Sequence, residues 1–167
     1  MLIEFKFSNY RSFRDEAVLS MEASRITAFK NSLIEFSPTG KTVANPMKLL
    51  PSVAIYGKNG GGKSNVIRAF WLAVQFIRNA QRTQHENAYI PMRPFLLDDD
   101  SAEKPSEFEF HYVCDGVKYC YGFAATKERI TKEYLYHAPK GQRARVFTRE
   151  GQEFQFSETA DKKKRQM

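Results

Sequence analysis

Residues 2–8 alternate well. Ile3, Phe5 and Phe7 fall on one side and Glu4, Lys6 and Ser8 on the other, the pattern of a half-buried strand. Asn9 to Asp15 is polar with aromatic insertions and reads as a turn. Ala17 to Met21 reads as a second short strand, so the chain is expected to open with a hairpin. Residues 22–50, broken by Pro38, Gly40 and Pro46, read as loop with room for one short element. Ser52 to Tyr56, with Val53, Ala54 and Ile55 at its heart, is short, β-rich and followed by glycine, as a buried strand would be. From Lys63 the period becomes helical: Val66, Ile67, Phe70, Trp71, Val74 and Ile77 recur at helical spacing. The helix is expected to end between Asn79 and His85.

Residues 86–106 form a connector with Pro91, Pro94 and Pro105 and an acidic cluster, Asp98 to Asp100. The pattern then changes to strands. Phe108 to Cys114 and Val117 to Ala124 flank Asp115-Gly116, a dipeptide suited to a turn in which both central residues take positive φ. Ile130 to His137, Arg143 to Thr148 and Glu153 to Phe156 continue the series, with a turn at Glu150-Gly151. The chain therefore divides into a hairpin, strand and helix (1–85), a connector (86–106), an antiparallel meander (107–157) and a basic tail (158–167). The expected fold class is α/β.

Composition changes this picture little. A length of 167 residues with 42% hydrophobic and 27% charged residues suits one ordered domain. No window reaches the ~18 consecutive apolar residues of a membrane helix. The first ten residues do not resemble a signal peptide, so a cytoplasmic location and no membrane partner are expected. The net charge of +7 hints at polyanionic partners, but part of it sits in Lys162, Lys163, Lys164 and Arg165, the composition of a solvated tail.

The chemistry is carried by Gly57-Lys58-Asn59-Gly60-Gly61-Gly62-Lys63-Ser64, which satisfies GxxxxGK[ST] between an expected strand and an expected helix. Glycines let the backbone turn tightly and aim successive N–H groups inward, and the helix N-terminus adds its own. Lys63 is placed to reach the β- and γ-phosphates of a nucleoside triphosphate and to stabilise charge there in catalysis. The Ser64 hydroxyl is placed to ligate Mg²⁺. A chance glycine-rich turn is the bland alternative, and the strand–loop–helix context weighs against it. A loop that binds nucleotide without hydrolysing it remains open on these residues.

Two stretches carry a resemblance. Gly57 to Asn65 reads GxNGxGKSN, and the first strand runs into Asn9-Tyr10-Arg11-Ser12-Phe13. Together they resemble the ABC-type, SMC/RecF-like ATPases, and among them the bacterial AAA-family ATPases of anti-phage and abortive-infection systems, the RloA, OLD and Septu-like proteins. Such proteins typically have Phe where Tyr10 stands. Pro94-Phe95, Tyr119-Tyr121-Gly122-Phe123 and Glu133-Tyr134-Leu135 also fit them. The resemblance implies the first half of an ABC-type P-loop ATPase head, binding ATP and Mg²⁺ through Gly57, Asn59, Gly60, Gly61, Gly62, Lys63, Ser64 and Asn65, with Arg11 beside the nucleotide. It implies hydrolysis completed by a second head in a homodimer or higher assembly, and an output to a partner nuclease or other effector, or to DNA. The Walker B, signature and switch-histidine motifs of such heads are not recognisable, so an N-terminal portion of a longer protein is expected, and these residues alone should bind ATP better than they hydrolyse it.

The weaker constellations read better as loop or packing. Phe95-Leu96-Leu97-Asp98-Asp99 superficially resembles Walker B, with Asp98 as a Mg²⁺-shell ligand; beside Pro94 an acidic loop is the better reading. His111 and Cys120 are expected opposite one another in the hairpin. Cys114 lies ~10 Å along the ladder from Cys120, too far for a disulfide. For a metal site on His111, Cys114 and Cys120 no fourth ligand with zinc-like spacing is visible, and core packing is the better reading. No Asn-Lys-x-Asp base reader for GTP is present, which favours ATP. The remaining readings are a nucleotide-gated assembly module without turnover and a nucleic-acid-binding protein using Tyr112, Lys118, Tyr119, Tyr121, Arg143 and Arg145.

Overall fold

The computed structural model describes residues 1–24, 30–37, 46–79, 90–139 and 141–157. Its elements in chain order are β1 (Leu2–Ser8), β2 (Ala17–Ser20), a turn of 3₁₀ helix (Lys30–Ser32), β3 (Ile34–Phe36), β4 (Met47–Leu49), α1 (Lys63–Asn79), α2 (Asp99–Glu103), β5 (Ser106–Cys114), β6 (Val117–Ala125), β7 (Ile130–Ala138), β8 (Ala144–Glu150) and β9 (Glu153–Phe156). Seven strands form one sheet in the order β2-β1-β5-β6-β7-β8-β9, with every neighbouring pair antiparallel. β3 and β4 pair separately.

The alternation of β1 decides the layout. Ile3, Phe5 and Phe7 are all buried, and Phe5 and Phe7 stand opposite Phe110 and Phe108 of β5. α1 lies on this face. Phe70 meets Phe5 edge-on at 5.2 Å between ring centroids, and Phe76 stacks on Phe123 at 4.6 Å. Ala69 and Ala73 have no exposed surface, which brings the helix backbone close to the aromatic rings. At the β5–β6 turn Asp115 and Gly116 both have positive φ, 48° and 72°, as a two-residue turn matched to the strand twist requires.

Three expectations are corrected. Ser52 to Tyr56 is not a buried strand: among the described residues no strand pairs with it, and Val53 and Tyr56 are 45% and 90% exposed. Apolar content alone does not form a strand; the backbone N–H and C=O groups need a neighbouring ladder, and both edges of the large sheet lie elsewhere. Residues 22–50 contain two short paired strands and a 3₁₀ turn rather than one element. The connector includes α2, whose N-cap is Asp98; its carboxylate accepts from the Ser101 N–H at 2.6 Å. Pro38, Gly40, the expected helix end in 80–85, the start of the connector and the basic tail lie outside the described residues.

The apolar stripe expected on α1 divides between two faces. Val66, Phe70 and Val74 pack against the core, whereas Ile67, Trp71 and Ile77 are exposed. Ala69, Leu72, Ala73 and Phe76 complete the covered side.

Asn9, at the end of β1, joins the N-terminal turn to the connector. It is buried and holds φ 49°, a left-handed conformation that asparagine tolerates better than most residues. Its Nδ2 donates to the carbonyls of Ser101 and Lys104 at 2.8 and 2.9 Å, and its Oδ1 accepts from the Phe95 N–H at 3.0 Å. The Ser106 hydroxyl donates to the Asn9 carbonyl at 2.6 Å. Asn9→Ala removes the side-chain partner of the Phe95 N–H and of the Ser101 and Lys104 carbonyls, while keeping the Ser106 bond, and is expected to lower stability by about 2 kcal/mol. Urea unfolding measures this, and a midpoint equal to that of the parent protein would refute it.

Candidate functional site

The long run to the loop is anchored where β4 ends. Leu49 is fully buried, and the Leu50 N–H donates to the Met21 carbonyl at 2.7 Å. From there residues 52–56 lead to Gly57. The loop turns at Lys58, whose carbonyl accepts from the Gly61 N–H at 3.1 Å. Gly60 and Gly62 have φ 79° and 89°, which a side chain would resist. The Gly62 carbonyl then accepts from the N–H groups of Asn65 and Val66, opening α1.

This helix start suits an anion. No acidic residue lies in the first turn of α1, so the positive end of the helix is not neutralised by its own sequence. Asn59, Gly60, Gly61, Gly62, Lys63, Ser64, Asn65 and Arg68 line an open hollow of about 440 Å³, within the ~300–1,000 Å³ of small-molecule sites. The Lys63 ammonium folds back and donates to the carbonyls of Gly57 and Lys58 at 2.6 and 2.8 Å. The Ser64 hydroxyl is in the same lining, an oxygen donor of the kind Mg²⁺ accepts.

The Asn9–Phe13 segment reaches the loop through residues other than Arg11. Asn65 Nδ2 donates to Ser12 Oγ at 2.9 Å. A Cβ added to Gly62 would come within 3.1 Å of the Phe13 ring, which also packs edge-on against Phe7 at 4.9 Å. Arg11 is not part of the hollow's lining. Its Nε donates to the Tyr10 hydroxyl at 3.2 Å and its N–H to the Arg93 carbonyl at 2.8 Å. Ser12, Phe13 and Arg68 therefore join the site without belonging to the loop motif. The signal for Arg68 was its position one helical turn after Ser64, where its Nη1 meets Asn65 Oδ1 at 3.3 Å.

The weaker candidates separate. Leu96 and Leu97 are largely exposed and belong to no strand, so the Phe95–Asp99 run is a capped acidic loop. His111 stands opposite Cys120, as expected, and both cysteines are free. Tyr112 and Tyr119 stack on each other at 5.4 Å. The Tyr121 hydroxyl is raised above its ordinary pKa by burial and the neighbouring Glu133, to which it donates at 2.8 Å.

The fold and site thus define a mixed α/β protein, mostly antiparallel in its sheet, with a glycine-rich loop feeding the N-terminus of its long helix. A protein-family model matches residues 52–166, that of the AAA domain whose description names an AbiEii toxin and a type IV toxin–antitoxin system. The match spans more than half of the chain, and the chain belongs to this AAA-domain family, whose class is the nucleotide-binding ATPases. No curated protein sequence matches the chain.

Gly62→Ala is expected to cost about 1–3 kcal/mol, through strain at φ 89° and crowding against Phe13. Adding Phe13→Ala relieves the crowding, so the double variant loses less than the sum of the two single variants in thermal unfolding. Strict additivity would show that ring and loop do not touch.

Proposed function

We propose that the chain binds Mg-ATP in the hollow at the start of α1, as part of an ABC-type, SMC/RecF-like ATPase head of the RloA, OLD and Septu-like kind. The observation that carries this is Lys63, held inside a ring of loop residues at a helix start free of acidic side chains. The contacts of Ser12 and Phe13 with Asn65 and Gly62 support the ABC-type reading, because they join the two stretches that carry the resemblance. Arg11 is retained as a nucleotide-side residue that must leave Tyr10 to act.

The division of labour follows from the donors. Amides of Gly60, Gly62 and Lys63 hold phosphate oxygens, the Gly61 N–H keeps the loop turned on the Lys58 carbonyl, Asn59 lines the hollow, and Asn65 ties the end of the loop to Ser12. Lys63 exchanges its two carbonyls for the β- and γ-phosphates and stabilises the charge that grows as the γ-phosphoryl group leaves. Mg²⁺ bound at Ser64 supplies charge neutralisation for those phosphates. Among the described residues that line the hollow none is a carboxylate. The group that orients the attacking water therefore comes from another part of the head or from a second head. The output is a conformational or assembly switch acting on an effector nuclease or on DNA in anti-phage defence. The same lack of a carboxylate favours, as second reading, a nucleotide-gated assembly module without turnover.

Calorimetric titration of Mg-ATP tests the site. Lys63→Ala removes charge-assisted hydrogen bonds of about 1.5–3 kcal/mol, so affinity should fall about 10- to 100-fold. Ser64→Ala should remove the Mg²⁺ dependence. Equal affinity in Lys63→Ala would place the nucleotide elsewhere. Phosphate release measured on the same samples separates turnover from gated assembly.

A further inference from the structure

The sheet face turned away from α1 carries a polar cluster that nucleotide binding does not use. Glu109 and His111 are two positions apart on β5 and share this face, and Cys120 stands directly opposite His111 on β6. Glu109 Oε1 lies 2.7 Å from His111 Nε2, and Glu109 Oε2 lies 3.5 Å from Cys120 Sγ. Cys120 Sγ and His111 Nε2 are 3.9 Å apart. Carboxylate oxygen, imidazole nitrogen and thiol sulfur thus converge on one point.

We infer that Glu109, His111 and Cys120 form a binding site for a zinc-type divalent transition metal. With bonds of ~2.0–2.3 Å, a tetrahedral ion keeps its ligand atoms roughly 3.3–3.6 Å apart. Glu109 Oε2 already stands 3.5 Å from Cys120 Sγ, His111 Nε2 is 3.9 Å from the same sulfur, and the 2.7 Å contact of Oε1 with His111 is the hydrogen bond an ion would replace. Thiolate and carboxylate together neutralise a divalent ion, while sulfur with imidazole selects zinc-type metals over Mg²⁺. Three protein ligands leave a fourth position for water.

The surroundings are built to hold these groups. Glu109 stands opposite Gly122, where an added Cβ would lie 2.3 Å from the Tyr134 ring. Glycine therefore lets Tyr134 lie across β6, and its hydroxyl donates to Glu109 Oε2. That bond orients the carboxylate, as an outer partner of a metal ligand does. On the other side, Arg143 is stacked 3.8 Å above Tyr136 with Nη2 4.0 Å from Cys120 Sγ. A small cavity of about 100 Å³ has Glu109 and Tyr134 in its wall. Cys120 is buried, whereas Cys114 is exposed and its thiol meets Asp115 instead. On binding, the metal displaces the protons of the thiol and the imidazole, which pass to solvent.

Cobalt(II) titration of the full chain tests the site, because a cobalt–thiolate bond gives a charge-transfer band in the near ultraviolet. One equivalent should produce the band in the parent protein, in Cys114→Ser and in the loop variant Lys63→Ala. Cys120→Ser should abolish it, and zinc should displace cobalt. Tyr134→Phe, which keeps all three ligands, should weaken cobalt binding about 10- to 100-fold. No band in the parent protein, a band surviving Cys120→Ser, or unchanged affinity in Tyr134→Phe would each overturn the assignment.

Discussion

The seating of α1 on the phenylalanines of β1, β5 and β6 is the constraint on which the rest depends. Phe5 contacts Phe7, Phe70, Phe108 and Phe110, and two alanines without exposed surface let the helix approach. Burial of such rings is worth about 1.5–3 kcal/mol each against exposure, more than any exposed ion pair supplies. The same layer sets the loop. Phe7 packs on Phe13, Phe13 lies over Gly62, and Gly62 opens α1. The aromatic core therefore reaches the glycine-rich loop through an unbroken line of contacts, and the loop's shape is held from below.

This dependence explains why one strand-like segment remains unpaired. Residues 52–56 carry the right residue types, but the sheet that exists is built from the N-terminal hairpin and the meander. The segment passes outside it, together with Ile67 and Trp71 of α1. An apolar sequence states what a segment would bury and leaves open whether a neighbour is there to receive it.

Most strands were legible because one face of the sheet is buried and the other is not, so alternation is clean in β1 and β5. The Asp115-Gly116 turn then fixes the register of the hairpin, and with it the meeting of His111 and Cys120. The loop was legible because its glycines and lysine are adjacent in sequence. The role of Asn9 was not, since its partners are carbonyls of residues 101–105, which no spacing rule links to position 9. The nearness of Glu109 to Cys120 was hidden for a similar reason. Its approach to Cys120 is diagonal across the ladder and depends on side-chain reach. Arg11 shows the opposite limit: the motif named it, and the structure gives its side chain to Tyr10.

The folded-back lysine has a consequence for selectivity. Because the Lys63 ammonium already rests on two carbonyls, an anion arriving at it must win by exchange. A small monovalent ion offers little more than the two dipoles it would replace. A polyphosphate offers several charged oxygens at once, to the ammonium and to the backbone amides together, and only such a ligand makes the swap favourable. Under the proposed function, the loop sorts anions by charge density and reach before any base or sugar is touched.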